Sequence, residues 1–254
     1  MALEFTGKSR ALTAGGLANS ANDLGVKAPE IWAVLAVETK GCGFLANRRP
    51  PILYERHVFS RLTNGRFDDG DISSRTSGGY GPGGMAQYDR LARAMALDRN
   101  AALQSASWGL SQVMGFNFHL AGFAGVEAMI GAMCDSEDNQ LLAFATFLKN
   151  SKLDSALQIH DWTSLARGYN GPQFAENQYD AKLRGEFQKY SIGALPDLTI
   201  RACQVYLTFQ GFHPGQVDGA MGSQTRDALR QFQAKNGLPD TGLADDGTLA
   251  ALTL

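Results

Sequence analysis

At 254 residues the chain suits one large domain or a medium domain with a small one, and 44% hydrophobic with 19% charged residues is an ordinary globular composition with enough apolar content to build its own core. A formal net charge of -2 supplies no basic excess for a nucleic-acid backbone. The cysteines Cys42, Cys134 and Cys203 are odd in number and far apart, which argues against a disulfide framework, and neither a CxxC pair nor a His/Cys cluster at zinc spacing is present, so no metal or cofactor is expected.

In chain order, the first residues lack a charged-then-apolar leader pattern, and no apolar run approaches the ~18 residues of a membrane span. Residues 9–25 read as a helix ending at Gly25. A stronger helix follows over 29–40, with Pro29 in its first turn and Gly41 just past its end. Ile31, Val34, Leu35 and Glu38 follow the i, i+3, i+4, i+7 spacing of one helix face, which places a carboxyl on the core-facing side of the last turn. Burial raises a carboxyl pKa, and an acid that keeps its proton near neutrality can act as a general acid. The alternative is a surface residue or a partner for a buried arginine, Arg48 or Arg49.

Residues 50–59 begin as an extended segment, in which alternation sets Leu53, Glu55 and His57 on one face. Turn formers then dominate. The stretch Ser77-Gly-Gly-Tyr-Gly-Pro-Gly-Gly84 is followed by no GKS or GKT, so it reads as a flexible surface loop beside a groove rather than a phosphate cradle. Helical spacing returns from Met85, with Tyr88, Leu91, Ala92 and Met95 on one side. Residues 107–118 read as a turn region, and 126–133 as a helix. Asp135 or Ser136 caps the next helix, whose expected buried stripe is Leu141, Leu142, Ala145 and Leu148. Short helices near 151–158 and 162–168 and a longer one over 175–190 complete this part. Ile192-Gly-Ala-Leu-Pro196 reads as a boundary. Beyond it, helices are expected over 198–211, 223–236 and from Leu238, with Asp218-Gly219 as a turn and no acid/base constellation.

Three stretches, Val37-Glu-Thr39, Ser107-Trp-Gly-Leu-Ser-Gln-Val-Met114 and Arg167-Gly-Tyr-Asn-Gly171, resemble in order the goose-type lysozymes and soluble lytic transglycosylases. The turn here reads Leu-Ser-Gln-Val, and Thr39 stands where Ser is usual. A closer resemblance is to the N-acetylmuramidase domain of phage endolysins over residues 12–190, carried by Glu38, Gly43-Phe44 and Arg49-Pro-Pro-Ile-Leu-Tyr-Glu-Arg-His-Val-Phe59. Gln204, Gly211-Phe212, Val217-Asp218-Gly219, Thr225, Phe232-Gln233 and Asp246-Gly-Thr248 resemble a small three-helix peptidoglycan-binding domain.

The resemblance implies a mainly α protein: a lysozyme-like catalytic domain over 1–192 with a small β/loop region, and a binding domain over 195–254. It implies cleavage of the β-1,4 bond between N-acetylmuramic acid and N-acetylglucosamine, with Glu38 as general acid and Glu55 as second carboxylate, held ionised beside His57. For Glu55, pairing with an arginine to fix the loop stays open. Ser107, Gln112, Tyr169 and Asn170 are the expected substrate contacts, although Ser107 and Tyr169 also suit capping and packing. The expected partner is bacterial peptidoglycan, met by a monomer without membrane insertion and without nucleic acid. Synthesis in a host cytoplasm and action on the wall after membrane permeabilisation complete the expectation. A lytic transglycosylase and a non-catalytic wall-binding virion protein are the alternatives.

Overall fold

The computed structural model describes residues 4–39, 42–171 and 174–253. Helix α1 (Ala14–Leu24) starts where Thr13 accepts the Gly16 N–H and stops at Gly25, whose φ of 66° is left-handed. Helix α2 (Ala28–Thr39) buries Ile31, Trp32, Ala33, Val34 and Leu35 in succession, the mark of a helix enclosed on all sides. The expected stop at Gly41 lies outside the described residues.

Strand β1 (Ile52–Tyr54) is shorter than the extended segment expected, because helix α3 (Arg56–Leu62) begins immediately after Glu55. Val58 and Phe59 enter the core from that helix, and their burial overrides the alternating pattern that precedes them. Helix α4 (Met85–Met95) buries Gln87, Tyr88, Leu91 and Ala94. Ala92 is exposed, against expectation, because it lies one position beyond Leu91 and therefore about 100° around the helix. After α5 (Arg99–Gln104), the expected turn region contains two strands, β2 (Ala106–Trp108) and β3 (Val113–Met114).

The three strands form an antiparallel sheet in the order β1-β2-β3. Leu53 faces Ser107 and Ser107 faces Met114, so these three share one side of the sheet; Ile52, Trp108 and Val113 share the other. Helix α6 (Val126–Asp135) is followed by α7 (Glu137–Asn150), capped by Ser136, which accepts the Asn139 N–H. The buried stripe of α7 is Leu141, Phe144, Ala145 and Leu148; Leu142 is 49% exposed, since it is rotated off that face. Helices α8 (Asp154–Gln158), α9 (Trp162–Asn170) and α10 (Tyr179–Ile192) finish this part, with α10 packed on α2 and α1 on α7.

The C-terminal part contains α11 (Leu198–Phe209), α12 (Ser223–Lys235) and α13 (Asp246–Leu252). The last helix starts later than Leu238, at the Asp245 cap. Cys203, Leu207, Ala228, Leu229, Phe232 and Leu252 make a separate small core. Two buried glutamines organise the turns. Gln204 Oε1 accepts the Asp218 and Gly219 N–H groups, and its Nε2 donates to Thr225 Oγ1 (3.1 Å). Gln233 repeats the device, accepting the Gly242 N–H and donating to Thr248 Oγ1 (2.9 Å). Asp218-Gly219 is thus a turn pinned from a neighbouring helix rather than one held by local chemistry alone.

The C-terminal core is docked onto the larger one. Val205 and Val217 pack on Ala11, with Cys42, Tyr206 and Phe209 around them. Phe44 meets Phe209 edge-on at 6.2 Å between centroids. Beneath these contacts, Arg201 of α11 grips the Glu137 carboxylate with both terminal nitrogens, Nη2 to Oε1 at 2.8 Å, and both side chains are wholly buried.

Candidate active site

Glu38 occupies the last turn of α2 and lines a cavity of about 450 Å³. Val34, Phe144, Leu165 and Leu183 form an apolar wall behind it. That desolvation pushes its pKa up to about 7, against a smaller opposing effect from a hydrogen bond with the Asn170 side chain. The arginines considered as partners go elsewhere: Arg48 lies over the Phe209 ring and Arg49 over the Tyr88 ring, with Arg49 Nε donating to the Glu4 carbonyl (2.8 Å).

Asn170 and Tyr169 come from the C-terminal end of α9, a helix started by Asp161 accepting the Ser164 N–H (3.0 Å). Tyr169 lines the cavity, but its ring is held edge-on against Phe144 and Phe147 at 5.3 and 5.7 Å. Its hydroxyl donates to the Ser111 carbonyl, and burial pushes its pKa well above the ordinary tyrosine value. Tyr169 therefore fixes the β2–β3 turn against α9 and presents a ring, not a free hydroxyl, to the groove.

Gln112 sits in that turn with φ of 54°. Its Nε2 donates to the Pro51 (3.1 Å) and Gly109 (2.9 Å) carbonyls, and its Oε1 accepts from Ser107 Oγ (2.8 Å). The carboxamide expected to contact sugar is thus engaged in holding β1, β2 and the turn together. Ser107 and Gln112 both line the cavity.

Glu55 is the residue from which α3 starts, and it lines the same cavity as Glu38. His57 Nδ1 lies 3.0 Å from Glu55 Oε2, an ion-pair separation. Burial lifts the Glu55 pKa; the positive potential of His57 and hydrogen bonds from Tyr80 and His57 pull it back. The net direction is upward, with the His57 contribution opposing the effect of burial. The partner of Glu55 is not the adjacent arginine: Arg56 Nη1 donates to the Gly70 carbonyl (2.5 Å).

All six residues read from the sequence meet at this cavity. Tyr80, Asn117, Asn177 and Tyr179 line it too and were not read from the sequence. The available signal was an aromatic set among glycines for Tyr80; the two asparagines lie in short turns with no pattern of their own.

A family described as "N-acetylmuramidase" matches residues 27–191. The chain belongs to this family. Residues 197–252 of the muramidase match a second family, described as "Putative peptidoglycan binding domain". Its fold is also similar to that of the solved Burkholderia AP3 phage endolysin, at 40% identity and a TM-score of 0.65, covering 72% of this chain and 71% of that one. A curated Nostoc punctiforme protein named "Putative OxPP cycle protein OpcA" is 35% identical over 121 residues, 41% of the muramidase. The match spans 25% of that relative's length. Among the described residues no helix is long and apolar enough to cross a membrane.

Proposed function

We propose that this muramidase is a phage endolysin that hydrolyses the β-1,4 bond between N-acetylmuramic acid and N-acetylglucosamine, with Glu38 protonating the leaving oxygen. The observation that carries the reading is one buried carboxyl with its pKa lifted to about 7, in a cavity that it shares with a second carboxyl in a different setting. Asn170 orients Glu38 from the side. Glu55, with an imidazole and a phenol beside it, stabilises positive charge at the sugar or positions the attacking water. The C-terminal domain holds the enzyme on the wall, where effective concentration replaces repeated encounter. The protein works as a monomer that reaches peptidoglycan once the inner membrane is permeable.

Glu55 favours hydrolysis over transglycosylation, since the latter needs only one carboxyl acting first as acid and then as base. Mass spectrometry of digested sacculi tests this. Hydrolysis gives reducing products heavier by one water than 1,6-anhydro ones; a digest dominated by anhydro products would sink the hydrolase reading, and a zymogram without clearing would sink both.

The pH profile is a second test. The protonated form of Glu38 is the active one, and it is lost as pH rises through about 7. Activity should therefore fall on the alkaline side in that range. A profile flat from about pH 6 to about pH 9 contradicts the assignment of Glu38.

A further inference from the structure

Both chain neighbours of Glu55 hold the loop that brings a phenol to it. Gln87, fully buried in the first turn of α4, donates from Nε2 to the Tyr80 (2.7 Å) and Pro82 (2.8 Å) carbonyls. The same carboxamide accepts the Tyr54 N–H at Oε1 (3.0 Å). Tyr54 immediately precedes Glu55, whose own N–H donates to the Ser105 carbonyl (2.8 Å). On the other side, the loop backbone rests on Arg56: a Cβ at Gly79 would stand 2.6 Å from Arg56 Cζ, and Gly79 has φ of 69°. Glycine there meets both the close approach and the left-handed backbone. The segment read from the sequence as flexible is thus anchored at residues 79, 80 and 82, on either side of the Tyr80 side chain.

We propose that Tyr80 is a positioning residue for Glu55, and that the Gln87 carboxamide, by joining the 80–82 backbone to β1, keeps the phenol on that carboxyl. The inference rests on the reading of Glu55 as the anionic partner of Glu38. Tyr80 lines the cavity beside Glu55, and the phenol and the carboxyl each act on the other's titration. A hydroxyl donating to a carboxylate fixes its rotamer and favours the charged form, which opposes the effect of burial. The other groups facing Glu55 are His57 from α3 and, from β2, the uncharged Ser107; Arg56 acts on the phenol from beneath the loop. No sequence motif marks the pair, because Gln87 and Tyr80 are joined through backbone carbonyls.

The test uses the full chain and a soluble peptidoglycan oligosaccharide. Tyr80→Phe removes one oxygen from a side chain that is 39% exposed, so folding should be preserved. The expected result is kcat lower by about tenfold with KM changed less than about twofold, because the lost bond is to a charged group. The acid limb of the pH profile should move to higher pH, since a carboxylate that loses a donor is protonated more readily. In a Glu55→Gln background, Tyr80→Phe should add nothing. Gln87→Met should shift the acid limb in the same direction, and a lower melting temperature alone would not count in its favour. A rise in KM with kcat and the acid limb unmoved would make Tyr80 a sugar contact only and overturn the proposal. So would an unchanged Tyr80→Phe profile alongside an inactive Glu55→Gln, which leaves the role of Glu55 intact. If Glu55→Gln itself keeps full turnover, the reading of Glu55 fails, and the inference falls with it.

Discussion

Glu38→Gln is expected to lower turnover by about 10²–10⁴-fold while leaving sacculus binding unchanged. The amide keeps the shape of the side chain and can still bond Asn170, but it has no proton of suitable acidity to give the leaving oxygen. Stability should move the other way. Burial raises the Glu38 pKa from 4.5 to about 7, so the native state holds its proton more tightly than the unfolded chain does. The associated stability is fully present below about 4.5 and is lost as pH rises through about 7. Above that range the wild type must keep a charge against Val34, Phe144, Leu165 and Leu183, and Glu38→Gln need not. Its melting temperature should therefore exceed that of the wild type at alkaline pH, with the gap closing at acid pH. Paired activity and melting measurements at two pH values check both halves. A folded Glu38→Gln protein with wild-type turnover would end the assignment.

The position of Glu38 was legible because a helix with period 3.6 records in sequence which side faces the core, and one acid interrupts an apolar face. The chemistry of Glu55 was only half legible. Alternation along 50–59 put Leu53, Glu55 and His57 on one face; Leu53 and Glu55 line the cavity, whereas His57 lines a different one. It did not show that the chain turns into α3 at Arg56, because a short strand followed at once by a helix leaves neither period long enough to detect. Strands β2 and β3 escaped for the same reason: a two- or three-residue strand is defined by its partner, which for β3 is β2 and for β2 is also β1, some fifty residues away. The hydrogen bonds of Gln112 and Tyr169 were not legible, because sequence shows which polar groups exist and not which are already bonded. Both belong to the walls of the site, and their polar atoms are engaged by Pro51, Gly109, Ser107 and Ser111. Asn170 lines the same cavity, and its side chain lowers the Glu38 pKa against the effect of burial.

Arg201→Met is expected to destabilise the protein by about 3–5 kcal/mol, the usual cost of removing one member of a buried ion pair. The reason lies in what Glu137 would be left with. Its Oε2 accepts the Leu12 N–H (2.7 Å) and its Oε1 the Gly43 N–H (2.6 Å), and Arg201 supplies the countercharge. Without the guanidinium, the buried carboxylate keeps two backbone donors and, among the described residues, no ion-pair partner. In a chain of this length such a loss lowers the melting temperature by about 10 °C or more. Glu137→Met should cost at least as much, because it leaves the Leu12 and Gly43 amides unpartnered and takes from Arg201 its carboxylate. The double variant Glu137→Met/Arg201→Met should be less damaging than the sum of the two, which a double-mutant cycle measures. The same geometry bears on dissecting the chain. A boundary near Ile192–Pro196 suggests two modules that work apart, yet a fragment ending at residue 192 lacks Arg201 and uncovers Ala11 where Val205 and Val217 pack. That fragment should melt well below the intact chain, and Glu137→Gln within it should raise its melting temperature by removing the unpaired charge. An Arg201→Met protein that melts with the wild type would show that the ion pair does not join the two cores in solution. The C-terminal domain would then be a tethered anchor rather than part of the fold that holds Glu137 and, through it, the segment following α2.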